Sequence, residues 1–281
     1  MTEPARANAR SALGPEASLL RAQVAAFWPK ESAVLLNNGL PRTGHVLEVG
    51  CGPGFVTRML RKLVPDCHIS AVDHDPIYAS LVAKESADDP SVTVTVASAD
   101  ALPFRSGFFD GALLRLVLQH VPDPLAVLRE VRRVLRPNGV VLVVDVDHDA
   151  SALTDPPLPH DTSLRNGLLR WQRASGGNRR VGRHLPSLLT TAGFADVSID
   201  AVAAHSAVDD RAALVEVIAV VEHLLPAMVN VEMQPWQAEE VVRFFADVRC
   251  GRHALEILLV LLVASGRVGG NSAARWSSTP I

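Results

Sequence analysis

The stretch His45–Gly54, HVLEVGCGPG, decides how this chain is read. Its first half, HVLEV, is a short apolar run bounded upstream by Pro41 and Gly44, the pattern of a buried strand. It ends in glycines at alternate positions, Gly50, Gly52 and Gly54, and FVTRMLRKLV follows with apolar residues at helical spacing. Strand, glycine turn and helix in that order make a nucleotide-cradling corner. Glycine lets backbone approach a ligand closely, and a helix amino terminus offers unpaired N–H groups. A dinucleotide turn, G-x-G-x-x-G, would place its third glycine at 55, where this chain has Phe55. The pattern is instead E-x-G-x-G-x-G, with Glu48 inside the strand's last turn.

Downstream, two acids fall where sheet edges are expected. HISAVDHDP at 68–76 is a second apolar strand ending in Asp73, whose two oxygens suit the two donors of a ribose diol. A solvated loop aspartate is the plainer alternative. His74 follows it, and Pro76 opens a helix, where a missing N–H costs nothing. SVTVTVA at 91–97 alternates β-branched residues and is the clearest strand. It runs into Asp100, which suits either an exocyclic amine or a helix cap. FFDGALL at 108–114 reads as strand four, LAVLREVRRVL as a helix stopped at Arg136-Pro137-Asn138-Gly139, and VVLVVDVD at 140–147 as strand five. A helix closing at Gly193, a sixth strand from about Val197, a helical insertion over 209–249 and a last strand at Leu255–Ala264 complete the pattern.

These motifs, kept in order over about residues 44–204 and 255–265, resemble the class I (Rossmann-like) S-adenosylmethionine-dependent methyltransferases of small-molecule type. The resemblance implies an α/β fold with a doubly wound seven-stranded sheet, strand seven antiparallel between strands five and six. It implies an N-terminal helical cap (1–40), a cofactor-binding core (41–206), a helical insertion serving as lid or oligomer contact (207–252), the last strand (253–267) and a loose tail (268–281). It implies S-adenosyl-L-methionine as cofactor, held by Glu48, Gly50, Cys51, Gly52, Gly54, Asp73, His74, Asp100, Ala101 through its backbone, and Arg115. Arg115 departs from the small or polar residue that many members carry there. The cap's Phe27 and Trp28 are candidate substrate contacts or ordinary packing, as is His148 in the loop after strand five. His120, after strand four, is the candidate base or acceptor contact. No metal is expected.

Bulk properties bound the rest. The chain has 281 residues, 48% hydrophobic and 20% charged, enough for a sizeable core. A net charge of −3 gives no reason to expect nucleic acid or a membrane surface as partner. Cys51, Cys67 and Cys250 lack metal spacing and read as reduced thiols of a cytoplasmic protein, and MTEPARANAR at the amino end is no secretory signal. Residues 1–13 read as mobile. The helix from Pro15 is expected to stop near Pro29 and resume to Leu36. Arg165, Arg170, Arg173, Arg179, Arg180 and Arg183 form either a patch for an anionic acceptor or a solvated helix face. The expected function is methyl transfer to a small-molecule acceptor, in secondary metabolism by resemblance, with a homo-oligomer admitted. The alternatives are the same fold steering a non-transfer rearrangement and, on the related dinucleotide fold, a nicotinamide oxidoreductase.

Overall fold

The strands that carry the motifs lie side by side in parallel. β1 (Thr43–Val49) is flanked by β2 (Asp66–Asp73) and β4 (Phe109–Arg115), with β3 (Val92–Val96) outside β2 and β5 (Leu135–Asp145) outside β4. The computed structural model describes residues 14–150, 153–206, 211–229 and 231–269. The segment expected to be mobile, 1–13, and all but the first two residues of the expected tail lie outside the described residues. Strand order reverses between β1 and β4, so the carboxyl ends of these two strands open a crevice at one sheet edge.

β8 (Glu256–Val268) runs antiparallel between β5 and β7 (Phe194–Ser206), the place expected for the last strand. An eighth strand is added to the seven expected: β6 (Leu153–Asp155) pairs with β8 at Ile257. It lies in the proline-rich stretch read as loop, where three residues leave no periodicity to detect. The helix before β5 stops at Val134, earlier than Arg136, because Leu135 already pairs with Phe109.

Alternation along the strands splits the core into two layers. Val46, Leu113, Leu142 and Val144 face one side, packed with residues of α1 (Gly14–Asn37) and α2 (Phe55–Leu63). Leu47, Ala112, Leu114, Val141 and Val143 face the other, against α4 (Pro124–Val134) and α6 (Leu185–Thr191). A period of two buries both faces of a sheet whose central strands have no polar side, as parallel sheets require. α3 (Pro76–Glu85) packs against β2 and β3, and α5 (Asp161–Ala174) follows β6.

α1 is one helix, not two pieces, with Pro29 inside it. Proline removes one backbone donor, but Val24, Phe27, Trp28 and Leu35 are buried on the sheet side, and that burial outweighs one missing bond. The insertion is helical as expected. α7 (Arg211–Val229) and α8 (Pro235–Arg249) bury Leu225, Met228, Met233 and Phe245 against Leu164, Leu255 and Ile257. Most of the Met and aromatic stripe is therefore core, whereas Trp236 is exposed.

One ion pair clips α1 to the edge of the sheet. Arg115, ending β4, donates from Nε (2.8 Å) and NH2 (3.1 Å) to the two oxygens of Glu31, and both side chains are buried. Removing one partner strands a buried charge, whereas removing both need not. Glu31→Ala should therefore lower the unfolding free energy by about 3–5 kcal/mol in urea titrations. Glu31→Leu combined with Arg115→Met should recover most of that loss.

Candidate functional site

The glycine turn is held in shape by the strand beside it. Gly50, Gly52 and Gly54 all have positive φ (71, 50 and 80°), and the N–H groups of Gly50 and Cys51 both donate to the Val72 carbonyl (2.7 and 3.0 Å). A Cβ at Gly50 would lie 2.5 Å from Val117 Cγ2, so that position is closed to any side chain as well as strained for one. A Cβ at Gly52 would meet nothing within 4 Å. The turn is thus packed on one side and open on the other, the shape of a cradle.

Asp73 closes the arrangement. One carboxylate oxygen accepts from Gly52 N–H (2.8 Å), the other from Asp75 N–H (2.9 Å). Asp75 in turn caps α3, accepting from Ile77 N–H (2.7 Å). Each carboxylate oxygen has a second lone pair, so the two backbone bonds leave Asp73 able to accept from a diol.

A cavity of about 720 Å³ opens along the carboxyl ends of β1, β2, β3 and β4. Of the residues singled out from sequence, Gly50, Asp73, His74, Asp100, Arg115 and His120 line it. Glu48, Cys51, Gly52, Gly54 and Ala101 do not; the first four belong to the end of β1 and the turn behind the cavity wall, and Ala101 faces outward. Phe27 and Trp28 are not against the cavity: they are buried in the layer beneath α1. His148 is also displaced from it. Its ring is buried, Nε2 lies 3.1 Å from the Arg165 carbonyl, and burial with two nearby arginines pushes its pKa down to about 4. Cys51 is buried and its thiol is pushed up by burial, which makes it inert.

Glu48 is a buried carboxyl with one oxygen, Oε2, lacking any partner. Burial, with the Asp73 charge adding to it, pushes its pKa up to about 8. An orphaned buried acid behind an open glycine turn fits a ligand that brings a cationic group. The donor chemistry at these two acids suits a ligand that carries both a cationic group and a diol. Asp100 stands farther along the edge, with Ser98 Oγ donating to it (2.5 Å).

At the opposite end of the cavity the sequence singled out His120 and, among six arginines, Arg179, but not the residues that orient and enclose them. Leu116 has φ 58°, a left-handed conformation unusual for leucine, and turns the chain at the end of β4 so that 117–121 wrap the cavity. Gln172 of α5 donates from Nε2 to the Gln119 carbonyl (3.1 Å) and to His120 Nδ1 (2.8 Å). The carbonyl fixes which end of the amide is nitrogen. Nδ1 of His120 must then accept, and a neutral ring carries its proton on Nε2. Burial and the nearby Arg179 charge lower the pKa of His120, which favours that neutral ring. The imidazole therefore presents an N–H donor, not the free lone pair a base needs. Trp171 and Arg179 stand beside it, and Leu20 and Gln23 of α1 with His223 and Leu224 of α7 complete the wall. Tyr78, the chain's one tyrosine, also lines the cavity. Among the described residues, no group of three or more His, Cys, Asp or Glu side chains could hold a metal ion, and no helix is long and apolar enough to cross a membrane.

The state of Glu48 has a measurable consequence. In the unfolded chain it titrates near 4.5, and in the folded chain near 8. Between those values the unfolded state binds fewer protons, so stability falls as pH rises, by about 1.4 kcal/mol per pH unit for one such group. Asp145, pushed up to about 7 by burial, acts with the same sign. Urea unfolding of the ligand-free protein from pH 5 to 8 should show this decline, and Glu48→Gln should remove part of it.

Comparison with known proteins agrees with the geometry. Residues 47–143 match the model of the family described as a methyltransferase domain. An uncharacterized 37.1 kDa protein in transposon TN4556 of Streptomyces fradiae is 32% identical over 159 residues, covering 53% of this chain and 43% of that protein. A demethylmenaquinone methyltransferase of Staphylococcus aureus is 30% identical over 119 residues, covering 42% of this chain and 48% of that one. The chain spans about half the length of the curated relatives it matches. Among solved structures, a Haemonchus contortus phosphoethanolamine N-methyltransferase 2 in complex with S-adenosyl-L-methionine superposes with a TM-score of 0.53 at 16% identity, covering 86% of this chain and 53% of that one. The glycine turn and the acids Asp73 and Asp100 fall inside this matched stretch, so residues 47–143, which carry the site described above, resemble a methyltransferase domain.

Proposed function

We propose that the chain transfers the methyl group of S-adenosylmethionine to a small-molecule acceptor. The observation that carries this is one continuous cavity with two unlike ends. Asp73, Asp100 and Gly50 of the glycine turn line one end; His120, Trp171, Arg179 and the α7 residues His223 and Leu224 line the other. S-adenosylmethionine, when bound, supplies an activated methyl carbon on a sulfonium whose departure leaves a neutral thioether.

The chain's own residues then have distinct tasks. Asp73 accepts from the ribose hydroxyls while still bracing Gly52. Asp100 accepts from the adenine amine, a donor that a carboxylate suits. Glu48 meets the amino end. The apolar wall of Leu116, Val117 and Leu224 excludes water and aligns the acceptor, and alignment alone can account for several kcal/mol of barrier. α1 and α7 pack on one another, so the cap and the insertion form one wall over the acceptor end. A small acceptor is supported by the bounded cavity of about 720 Å³ and by the lack of a basic excess for nucleic acid.

Two measurements test this. Calorimetry should show S-adenosylmethionine binding, weakened at least about tenfold by Asp73→Ala through the loss of charge-assisted hydrogen bonds. NAD binding without S-adenosylmethionine binding would refute the reading. Because Glu48 is protonated when its ammonium partner is absent, cofactor binding at pH 7 should release a proton, seen as a buffer-dependent heat. Glu48→Gln should abolish that release.

A further inference from the structure

Six arginines fall between positions 165 and 183, and the fold sorts them. Arg165 pairs with Asp161 (2.8 Å), Arg170 with Glu232 (3.0 Å) and Arg180 with Asp149 (2.9 Å). Arg183 bridges Asp147 and Asp149, and Arg173 is exposed near the end of α5. These five are the solvated face that the sequence allowed. Arg179 is different: of the six it is the one that lines the cavity.

Its position is fixed by backbone on both sides. Asn178 N–H donates to the Gln119 carbonyl (2.8 Å), His148 N–H to the Arg179 carbonyl (2.8 Å), and Gly182 N–H to the Val146 carbonyl (3.0 Å). These bonds lace the segment to the carboxyl ends of β4 and β5. A Cβ at Gly182 would lie 2.6 Å from the Val146 carbonyl oxygen, so the close approach itself requires glycine. The guanidinium held there makes no hydrogen bond or ion pair among the described residues, and its Nε is buried without a partner. The acid whose field it feels is Asp145, but Asp145 is engaged elsewhere. Its oxygens accept from Gln119 N–H (3.1 Å) and Val146 N–H (2.8 Å).

A largely buried cation with unused donors is expensive unless an anion joins it. Arg115, the other arginine on this cavity, already has its charge paired with Glu31. Beside Arg179, His120 presents an N–H, oriented by Gln172, whose own Oε1 is buried without a partner. Two kinds of donor on a wall that also carries Gln119, Gln172 and His223, and that runs on to Asp123, match the planar, two-oxygen geometry of a carboxylate. Trp171 and Leu224 line the same end and suit an apolar body carrying that group.

We propose that Arg179, with His120 as a second donor, is the recognition site for a carboxylate on an apolar acceptor. The proposal rests on the methyl-transfer reading for what the acceptor is used for, and it gives that acceptor a chemical class. It also accounts for a site whose histidine presents an N–H and not a free lone pair: an acid that arrives ionised has no proton to give up.

The test uses the full chain saturated with S-adenosylhomocysteine, with 1-naphthoate as probe and 1-naphthamide as its neutral counterpart. Calorimetry should show the acid binding at least about tenfold tighter than the amide, the difference made by one charge-assisted contact. Arg179→Gln should cancel that preference while S-adenosylhomocysteine still binds, and Arg179→Lys should keep part of it. Retained S-adenosylhomocysteine binding also shows that the variant is folded. Equal binding of acid and amide to the unaltered protein, no binding of the acid, or an unchanged preference in Arg179→Gln would overturn the proposal. If S-adenosylhomocysteine itself does not bind, the methyl-transfer reading fails, and the acid–amide comparison on the unloaded protein then judges the carboxylate site alone.

Discussion

The carboxylate of Asp73 is the constraint on which the site depends. It ends β2, yet both of its oxygens reach backbone N–H groups outside that strand, one in the glycine turn after β1 and one at the start of α3. Two loops from neighbouring βα units are thereby held by a single side chain. Charge-assisted bonds of this kind are roughly twice as strong as neutral ones. The turn they hold has three residues with positive φ, a conformation that would otherwise sample many alternatives. The same residue is left with lone pairs and lines the cavity, so one side chain both braces the turn and faces the space beside it.

Around that brace the cavity is electrically divided. Asp73 and Asp100 stand at the end formed by β2 and β3; an unpaired guanidinium and an imidazole N–H, with Asp123 farther along, stand at the end formed by β4 and the segment before α6. Glu48 and Asp145, one buried behind each end, are both raised in pKa because burial outweighs the hydrogen bonds they accept. The protein carries these unfavourable groups at one sheet edge and balances them with two fully apolar layers on the sheet faces. Glu31 and Arg115 tie the covering helix to that edge, so closure of the site and stability of the fold share a bond.

How much of this the sequence disclosed follows from what leaves a period or a spacing. Strands buried on both faces and a glycine turn with acids at successive strand ends were legible, because each is a local pattern. The three-residue β6 was too short to have one. Pro29 misled because the burial of Phe27 and Trp28, a tertiary effect, outweighs a local rule. The same burial explains why those two rings pack under α1 instead of facing a substrate, and His148 was drawn inward by the Arg165 carbonyl. The second task of Asp73, bonding Gly52 across 21 positions of sequence, had no sequence signal. Nor did the separation of Arg179 from its five neighbours, which depends on where acids on other elements fall.

The most direct test of the account is a crystal structure of the full chain with S-adenosylhomocysteine. The account predicts adenosyl density along the carboxyl edge, the ribose hydroxyls on Asp73, the adenine amine on Asp100, the amino group toward Glu48 and the sulfur facing the end that holds His120 and Arg179. Density elsewhere, or a ribose that makes no contact with Asp73 while the Gly52–Asp73 bond stays intact, would contradict it.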